Sequence, residues 1–332
     1  MRKEHIKYLV CPGCKGDLVI DAIHDGDELS VKSGILRCSQ CCEKFPVVRC
    51  VPRFKGEDDY VGNFGLQWTA HQKITLDSFN RTNISQKKFF EETKWPDDLT
   101  GQIILEVGCG AGRFTEIAIS TGAFVVSMDY SDAVDANYAS NGKSDHVLIV
   151  RADIYKMPFK ENFFDKLFCL GVLQHTPDVE RSFFTLPKYL KSGGRLAIDL
   201  YRKPVGIEKL VLNKYYLRQI TTRISPQLLY QLCKMYINFV WPLVRIINKV
   251  LPYPYNFYLN LMIFVAIEPV SIGLPDKELK EIALLITYDM FSAKYDFPQT
   301  LDTIKGWFQA SGMKNIDVCK GHNGIEGRGI KL

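Results

Sequence analysis

Between residues 102 and 200 the chain alternates two hydrophobic rhythms. Short, nearly continuous apolar runs at 102–107, 124–128, 147–150, 166–170 and 195–200 read as strands buried on both faces. Between them apolar residues recur at helical spacing, at Phe114, Ile117, Ala118 and Ile119 and again over 179–190. Gly193-Gly194 reads as the turn before the fifth strand. This alternation predicts a parallel sheet that carries its binding loops at the carboxyl ends of the strands. Beyond 203 the rhythm becomes helical. Helices are expected over 207–220, from Ser225-Pro226 onward, over 259–267 and over 282–290, with Pro242, Pro252 and Pro254 as breaks. A last helix over 300–310 ends at Gly312, and strands at 316–319 and 325–330 close the chain. Near the N-terminus, short apolar runs at 18–20, 29–36 and 45–48 predict a small β unit.

The expected fold is α/β: a Rossmann-like, mainly parallel seven-stranded sheet with an N-terminal zinc ribbon and a mostly helical insertion. Five segments follow. Residues 1–55 form the ribbon, 56–100 a linker and helical cover, and 101–202 the cofactor-binding core. Residues 203–298 form the insertion, and 299–332 return the last helix and strands to the core sheet.

Composition narrows the class only slightly. Hydrophobic residues make up 46% and charged residues 24%, as in ordinary globular proteins. Net charge is +5 and no dense Lys/Arg block occurs, which disfavours a nucleic-acid partner. The start, MRKEHIKYLV, lacks the apolar core of an export signal, so a reducing cytoplasmic compartment is expected.

Ten cysteines are present, and their spacing matters. Cys11-Pro-Gly-Cys14 and Cys38-Ser-Gln-Cys41 place paired thiolates across two tight turns. Four soft ligands suit tetrahedral Zn²⁺ and fill its shell, which implies a structural rather than a catalytic metal. A lone CxxC would equally fit a redox pair; two pairs do not. Residues 1–52 hold eight Lys/Arg and seven Asp/Glu, so with thiolate-bound zinc the ribbon is not cationic. Unaided phosphate binding is disfavoured. A protein contact, or a lid over the next domain, is expected instead.

The chemistry begins where the first core strand ends. Glu106-Val107 runs into Gly108-Cys109-Gly110-Ala111-Gly112, and a helix follows at once. Strand, glycine-rich turn and helix allow close backbone approach to a ligand. The nicotinamide fingerprint would need glycine at 113, where Arg113 stands. Glu106 suits an ammonium group better than a pyrophosphate. Asp129, at the tip of the second strand, is placed to accept from a ribose diol, with Tyr130 beside it. Asp153 is placed to accept from an adenine amine, with Ile154 against the ring.

The run "ILEVGCGAGRFT…VVSMDYS…ADIYKMPF…FDKLFCLGVLQHTPD…LKSGGRLAIDLY" resembles the class I S-adenosylmethionine-dependent methyltransferases, and within them a subgroup with an N-terminal zinc ribbon and an "FGLQW" segment. The resemblance implies S-adenosylmethionine as cofactor. It places Glu106, Gly108, Gly110 and Gly112 around the methionyl part, Asp129 at the ribose, and Asp153 with Ile154 at the adenine. Leu173 and His175 fall in the loop facing cofactor and substrate. Gln174 stands where relatives often have histidine.

Methyl transfer is an in-line displacement in which the protein chiefly orients. His175 is the candidate base, because imidazole titrates near a pKa of about 6.5. Tyr201 is a second catalytic candidate, with Lys203 beyond it. Asp289, Ser292, Lys294 and Tyr295 are expected to border the acceptor. The insertion is rich in Leu, Ile, Phe, Tyr and Trp, which suits a greasy pocket or a lid, and alternatively an oligomer interface or a membrane-resting surface. The leading expectation is methylation of a small or medium-sized, hydrophobic acceptor. The alternatives are an RNA or protein methyltransferase that uses the ribbon for recognition, and a non-catalytic cofactor-binding scaffold.

Overall fold

The computed structural model describes residues 1–54, 65, 67, 71–206, 214–267, 273–321 and 323–332. Phe64, Trp68 and the first half of the helix expected over 207–220 lie outside the described residues. At the N-terminus, β1 (Leu18–Gly26), β2 (Val31–Cys38), β3 (Lys44–Val48) and β4 (Val51–Pro52) form an antiparallel sheet in sequence order. Helices α1 (Asp77–Asn80) and α2 (Ile84–Thr93) follow. The core then alternates β5 (Ile103–Val107), α3 (Arg113–Ser120), β6 (Phe124–Asp129), α4 (Ala133–Asn141), β7 (Val147–Arg151), β8 (Phe164–Leu170), α5 (Val179–Thr185) and β9 (Leu190–Leu200). Helices α6 (Lys214–Thr221), α7 (Pro226–Val250), α8 (Tyr255–Met262) and α9 (Asp276–Ser292) form the insertion. Helix α10 (Leu301–Ala310) and strands β10 (Met313–Gly321) and β11 (Gly324–Lys331) complete the fold.

The core is the expected α/β Rossmann-like architecture. Its seven strands run in the order β10-β11-β9-β8-β5-β6-β7. The five from β9 to β7 pair in parallel, and β11 pairs antiparallel to both neighbours. Strand order reverses between β5 and β8, so the crevice at their carboxyl ends is the natural ligand position. Alternate residues explain the apolar runs. Leu105 faces one core with Val126 and Leu148, while Ile104 faces the other with Val125 and Val147.

The first of these cores includes the N-terminal sheet. Leu9, Leu18, Leu36, Phe45 and Phe54 pack in one cluster with Val150, Met157 and Phe159. Backbone bonds stitch the same seam: the Val10 amide donates to Pro158 O at 2.8 Å and the Phe54 amide to Arg151 O at 2.7 Å. The unit therefore lies on the sheet flank beside β7, not over the ligand crevice. Of the two roles expected for this unit, a lid over the next domain does not fit that position.

Four local expectations also change. The segment after α5 tightens into a 3₁₀ turn at Leu186–Tyr189, led by Pro187, rather than continuing as α-helix to 190. Strand β9 begins at Leu190 and passes through Gly193-Gly194, with a pairing irregularity against β8 in place of a turn. Pro242 lies inside α7 rather than ending it. It sits on the exposed side, as does Asn238, whose carbonyl it deprives of an intrahelical donor and leaves facing solvent. Finally, helix α8 ends at Met262, before the buried Val265, Ala266 and Ile267.

Candidate cofactor and acceptor site

A cavity of about 760 Å³ occupies the crevice. Every parallel strand contributes the loop at its carboxyl end: Val107 to Ala111, Asp129 with Tyr130, Ala152 with Ile154, Leu170 to Val172 with His175, and Tyr201 with Arg202. Gln67, Asn80, Ser85 and Lys88 cover one side. Phe257, Leu261, Ile282, Leu285 and Met290 of α8 and α9 supply a facing apolar wall. His71 ties cover to lid: Nδ1 lies 3.0 Å from Glu281 Oε1, and Nε2 lies 2.9 Å from the Tyr230 hydroxyl.

The glycine loop is held by its own backbone. Gly108 sits at φ +84° and its amide donates to Met128 O at 2.7 Å. A Cβ there would meet Val172 Cγ2 at 2.2 Å, so only glycine allows this approach. The Gly110 amide donates to Asp129 Oδ2 at 2.9 Å, while Oδ1 accepts from the Ser131 amide at 2.8 Å and hydroxyl at 2.7 Å. Asp129 is thereby fixed at the cavity wall.

Glu106 is 1% exposed and does not line the cavity. Its carboxylate instead accepts from the Thr115 hydroxyl at 2.5 Å and the Ser127 hydroxyl at 2.6 Å, and Asn137 donates to both hydroxyl oxygens. Burial, opposed by these hydroxyl bonds and aided by the charge of Asp129, pushes its carboxyl up to about 7. Direct contact with a cofactor ammonium, one of the roles read from the sequence, does not fit this placement. Gly112 and Leu173 are likewise outside the lining; Gly112 (φ +95°) starts α3 and Leu173 is fully buried. Asp153 is not in the lining either, because its Oδ1 accepts from the Tyr155 amide at 2.9 Å, whereas Ile154 is.

His175 is buried at the cavity wall. Its Nδ1 lies 2.9 Å from Tyr295 O. A carbonyl only accepts, so Nδ1 carries the proton and Nε2 is the basic nitrogen. The Tyr201 ring meets it edge-on at 5.4 Å. Burial holds the Tyr201 phenol well above its ordinary value, with Asp289 and Asp296 adding to the effect. Asp289 lines the cavity; Lys203, Ser292, Lys294 and Tyr295 do not. Gln174 is fully buried, and its side-chain amide has no hydrogen-bond partner among the described residues.

Sequence reasoning missed several wall residues. Arg218 of α6 lines the cavity, donates to Met290 O at 2.6 Å and pairs with Asp296. Lys88 and Asn323 also line it. Just behind, Asp199 at the end of β9 accepts from the Gly171 amide and from Asn323 Nδ2 at 3.2 Å. Glu92 of α2 is fully buried against it. Burial first, and Asp199 next, hold the Glu92 carboxyl well above the usual carboxylate range. No short motif marks these groups, which come together from four distant segments.

Residues 105–198 match the family described as a methyltransferase domain. The chain is 34% identical over 120 residues to sterol 24-C-methyltransferase of Pneumocystis carinii, covering 35% of this chain and 30% of that protein. It is 31% identical over 117 residues to phosphoethanolamine N-methyltransferase 2 of Caenorhabditis elegans, covering 34% and 27% respectively. The chain thus spans under a third of the length of these curated relatives. A solved structure of phosphoethanolamine N-methyltransferase 2 from Haemonchus contortus covers 80% of this chain and 47% of that one, at 16% identity and a TM-score of 0.44. The matched methyltransferase segment contains the glycine loop, Asp129 and His175. Tyr201, the cover and the lid lie outside it.

Away from the cavity, Sγ atoms of Cys11, Cys14, Cys38 and Cys41 all lie within 4.8 Å of one another. Cys11 and Cys38 are buried, Cys14 and Cys41 exposed. No residue of 1–54 lines the cavity.

Proposed function

We propose that the chain is an S-adenosylmethionine-dependent methyltransferase whose acceptor is a small or medium-sized molecule with an apolar body. One observation carries this reading. A single cavity joins the Gly108–Gly110 loop and Asp129 to the apolar wall of the insertion. The cradle fits the cofactor: a loop that tolerates no Cβ at Gly108, a fixed carboxylate for a ribose diol, and Tyr130 and Ile154 as flat and apolar surfaces. When bound, the cofactor supplies the transferable methyl group. The residues of the chain then bind, orient and exclude water. Glu106 acts as a positioning residue, because it holds the first turn of α3 to β6 through Thr115 and Ser127. His175 Nε2 accepts a proton from acceptors that carry one, and Tyr201, held neutral, orients the acceptor.

The four cysteines form a structural Zn²⁺ site in this reading. Four sulfur donors at mutual distances under 4.8 Å fit a tetrahedral thiolate shell with no open position. Its place on the sheet flank supports a role in folding rather than in acceptor recognition, which disfavours the RNA and protein alternatives.

Calorimetric titration with S-adenosylhomocysteine tests the central reading. Saturable binding by the wild type is expected, with Asp129→Ala weaker by about tenfold or more and still folded by circular dichroism. No binding by folded wild type, or equal affinity in Asp129→Ala, would remove the assignment.

A further inference from the structure

Helix α7 has three faces where a globular helix needs two. Leu229, Cys233, Ile237, Trp241, Val244 and Ile247 are buried against α9 and the segment after α8. Leu228, Leu232, Met235, Phe239, Leu243, Ile246 and Val250 are all exposed, Phe239 at 84%. Successive members stand three or four residues apart, so they form one outer stripe. It runs roughly 33 Å at 1.5 Å per residue. A third face, holding Gln227, Gln231, Lys234, Asn238, Arg245 and Lys249, flanks that stripe.

Charge is equally one-sided. Residues 209–267 contain seven Lys/Arg and no Asp/Glu. Arg218 is buried on Asp296, and Arg245 pairs with Asp276 at 3.1 Å. Arg223, Lys234 and Lys249 are exposed, and none forms an ion pair among the described residues. The stripe continues into Tyr253, Tyr255, Tyr258 and Met262, all exposed. Tyr253 and Tyr258 also line the cavity, so the apolar face runs to its wall.

The geometry points to a docking surface for an anionic lipid bilayer, on which α7 lies in the plane of the interface. An apolar stripe bordered by cations is the pattern of an interfacial helix, with Lys and Arg stems reaching up to the headgroups and tyrosines at the boundary. No helix among the described residues is long and apolar enough to cross a membrane, so α7 rests on the surface. A second copy of the chain is a poorer occupant. Two-fold pairing of this face sets Lys and Arg of one copy against those of the other, and the neighbouring Asp276 is already held by Arg245. The surface rests on the acceptor reading above in one respect: it gives an apolar acceptor a path from the bilayer through the tyrosine edge into the cavity.

The test is flotation of the full chain with phosphatidylcholine vesicles, with and without phosphatidylglycerol, alongside light scattering for oligomeric state. The wild type is expected to be monomeric and to float with the mixed vesicles, less so with phosphatidylcholine alone or at high salt. Phe239→Glu, at an exposed position, is expected to fold normally and lose about tenfold or more in vesicle partition. Lys234→Glu with Lys249→Glu is expected to lose the preference for phosphatidylglycerol. Failure of the wild type to float, or equal flotation by Phe239→Glu, would overturn the proposal. So would a dimer that Phe239→Glu converts to monomer. Binding of S-adenosylhomocysteine, expected to be unchanged in Phe239→Glu, reads the cofactor assignment separately.

Discussion

Replacing Gly108 by alanine probes a close backbone approach at the cavity wall. The new Cβ would stand 2.2 Å from Val172 Cγ2 and 2.7 Å from Cγ1, and the residue would keep a φ of +84°. The left-handed backbone costs an L-residue about 1–2 kcal/mol. Overlap with the half-buried Val172 adds about 1–3 kcal/mol. Movement of the loop relieves the overlap only by stretching the bonds from Gly108 to Met128 and from Gly110 to Asp129, which align the cavity wall. The total, about 2–5 kcal/mol, is therefore expected to be divided between folding stability and cofactor affinity. Val172→Ala in the same chain removes the two Cγ contacts, the closest of the overlap, and leaves the Cβ at 2.9 Å together with the backbone strain. Urea denaturation and S-adenosylhomocysteine calorimetry on the wild type, both single variants and the double variant close a thermodynamic cycle. A favourable coupling of about 1–3 kcal/mol is expected. Zero coupling, or a Gly108→Ala variant neutral in both measurements, would refute the steric account.

Three other outcomes follow from the same structure. Glu92 is held protonated in the fold but ionises in the unfolded chain above its ordinary value of 4.5. It therefore subtracts stability progressively as pH rises from there through neutrality. Glu92→Gln should melt higher than the wild type at neutral and mildly alkaline pH and show a flatter pH dependence; a lower melting temperature there would contradict the burial argument. The purified chain should carry about one zinc per molecule by elemental analysis, and Cys38→Ser should lose it along with cooperative unfolding. His175→Asn should bind S-adenosylhomocysteine normally and lower turnover about 10²-fold or more on a protonated acceptor; unchanged turnover would leave His175 a packing residue.

The parallel core was legible because each strand is covered on both faces and so appears as an unbroken apolar run. The loop geometry was legible for a similar reason: strand, glycine turn and helix follow one another in one segment, and Gly108, Gly110 and Asp129 come to line the cavity. What could not be read depends on distant partners. Pro242 is a break by local rules, yet α7 continues because its other face is anchored along its length on α9. Arg218 reaches the wall only because its guanidinium meets Met290 and Asp296, far along the chain. Glu106 is an acid at a strand tip in sequence. Its burial is decided by hydroxyls on α3 and β6 that no spacing rule announces. The position of the cysteine-bearing sheet was misread because its inward residues, such as Phe45 and Phe54, look no different in sequence from those of a free-standing ribbon.

That sheet shares a seam with the cavity. Just beyond it the Phe54 amide donates to Arg151 O, and Lys15 donates to Met157 O at 2.8 Å, on either side of Ala152 and Ile154 in the cavity wall. Two sites that brace one short segment cannot be energetically independent. Whatever free energy ordering the cysteine loops lends to cofactor binding, cofactor binding returns to the cysteine loops in equal measure. With zinc at the cysteines as proposed, stripping the metal is expected to weaken cofactor binding from a distance, through the segment between Arg151 and Met157.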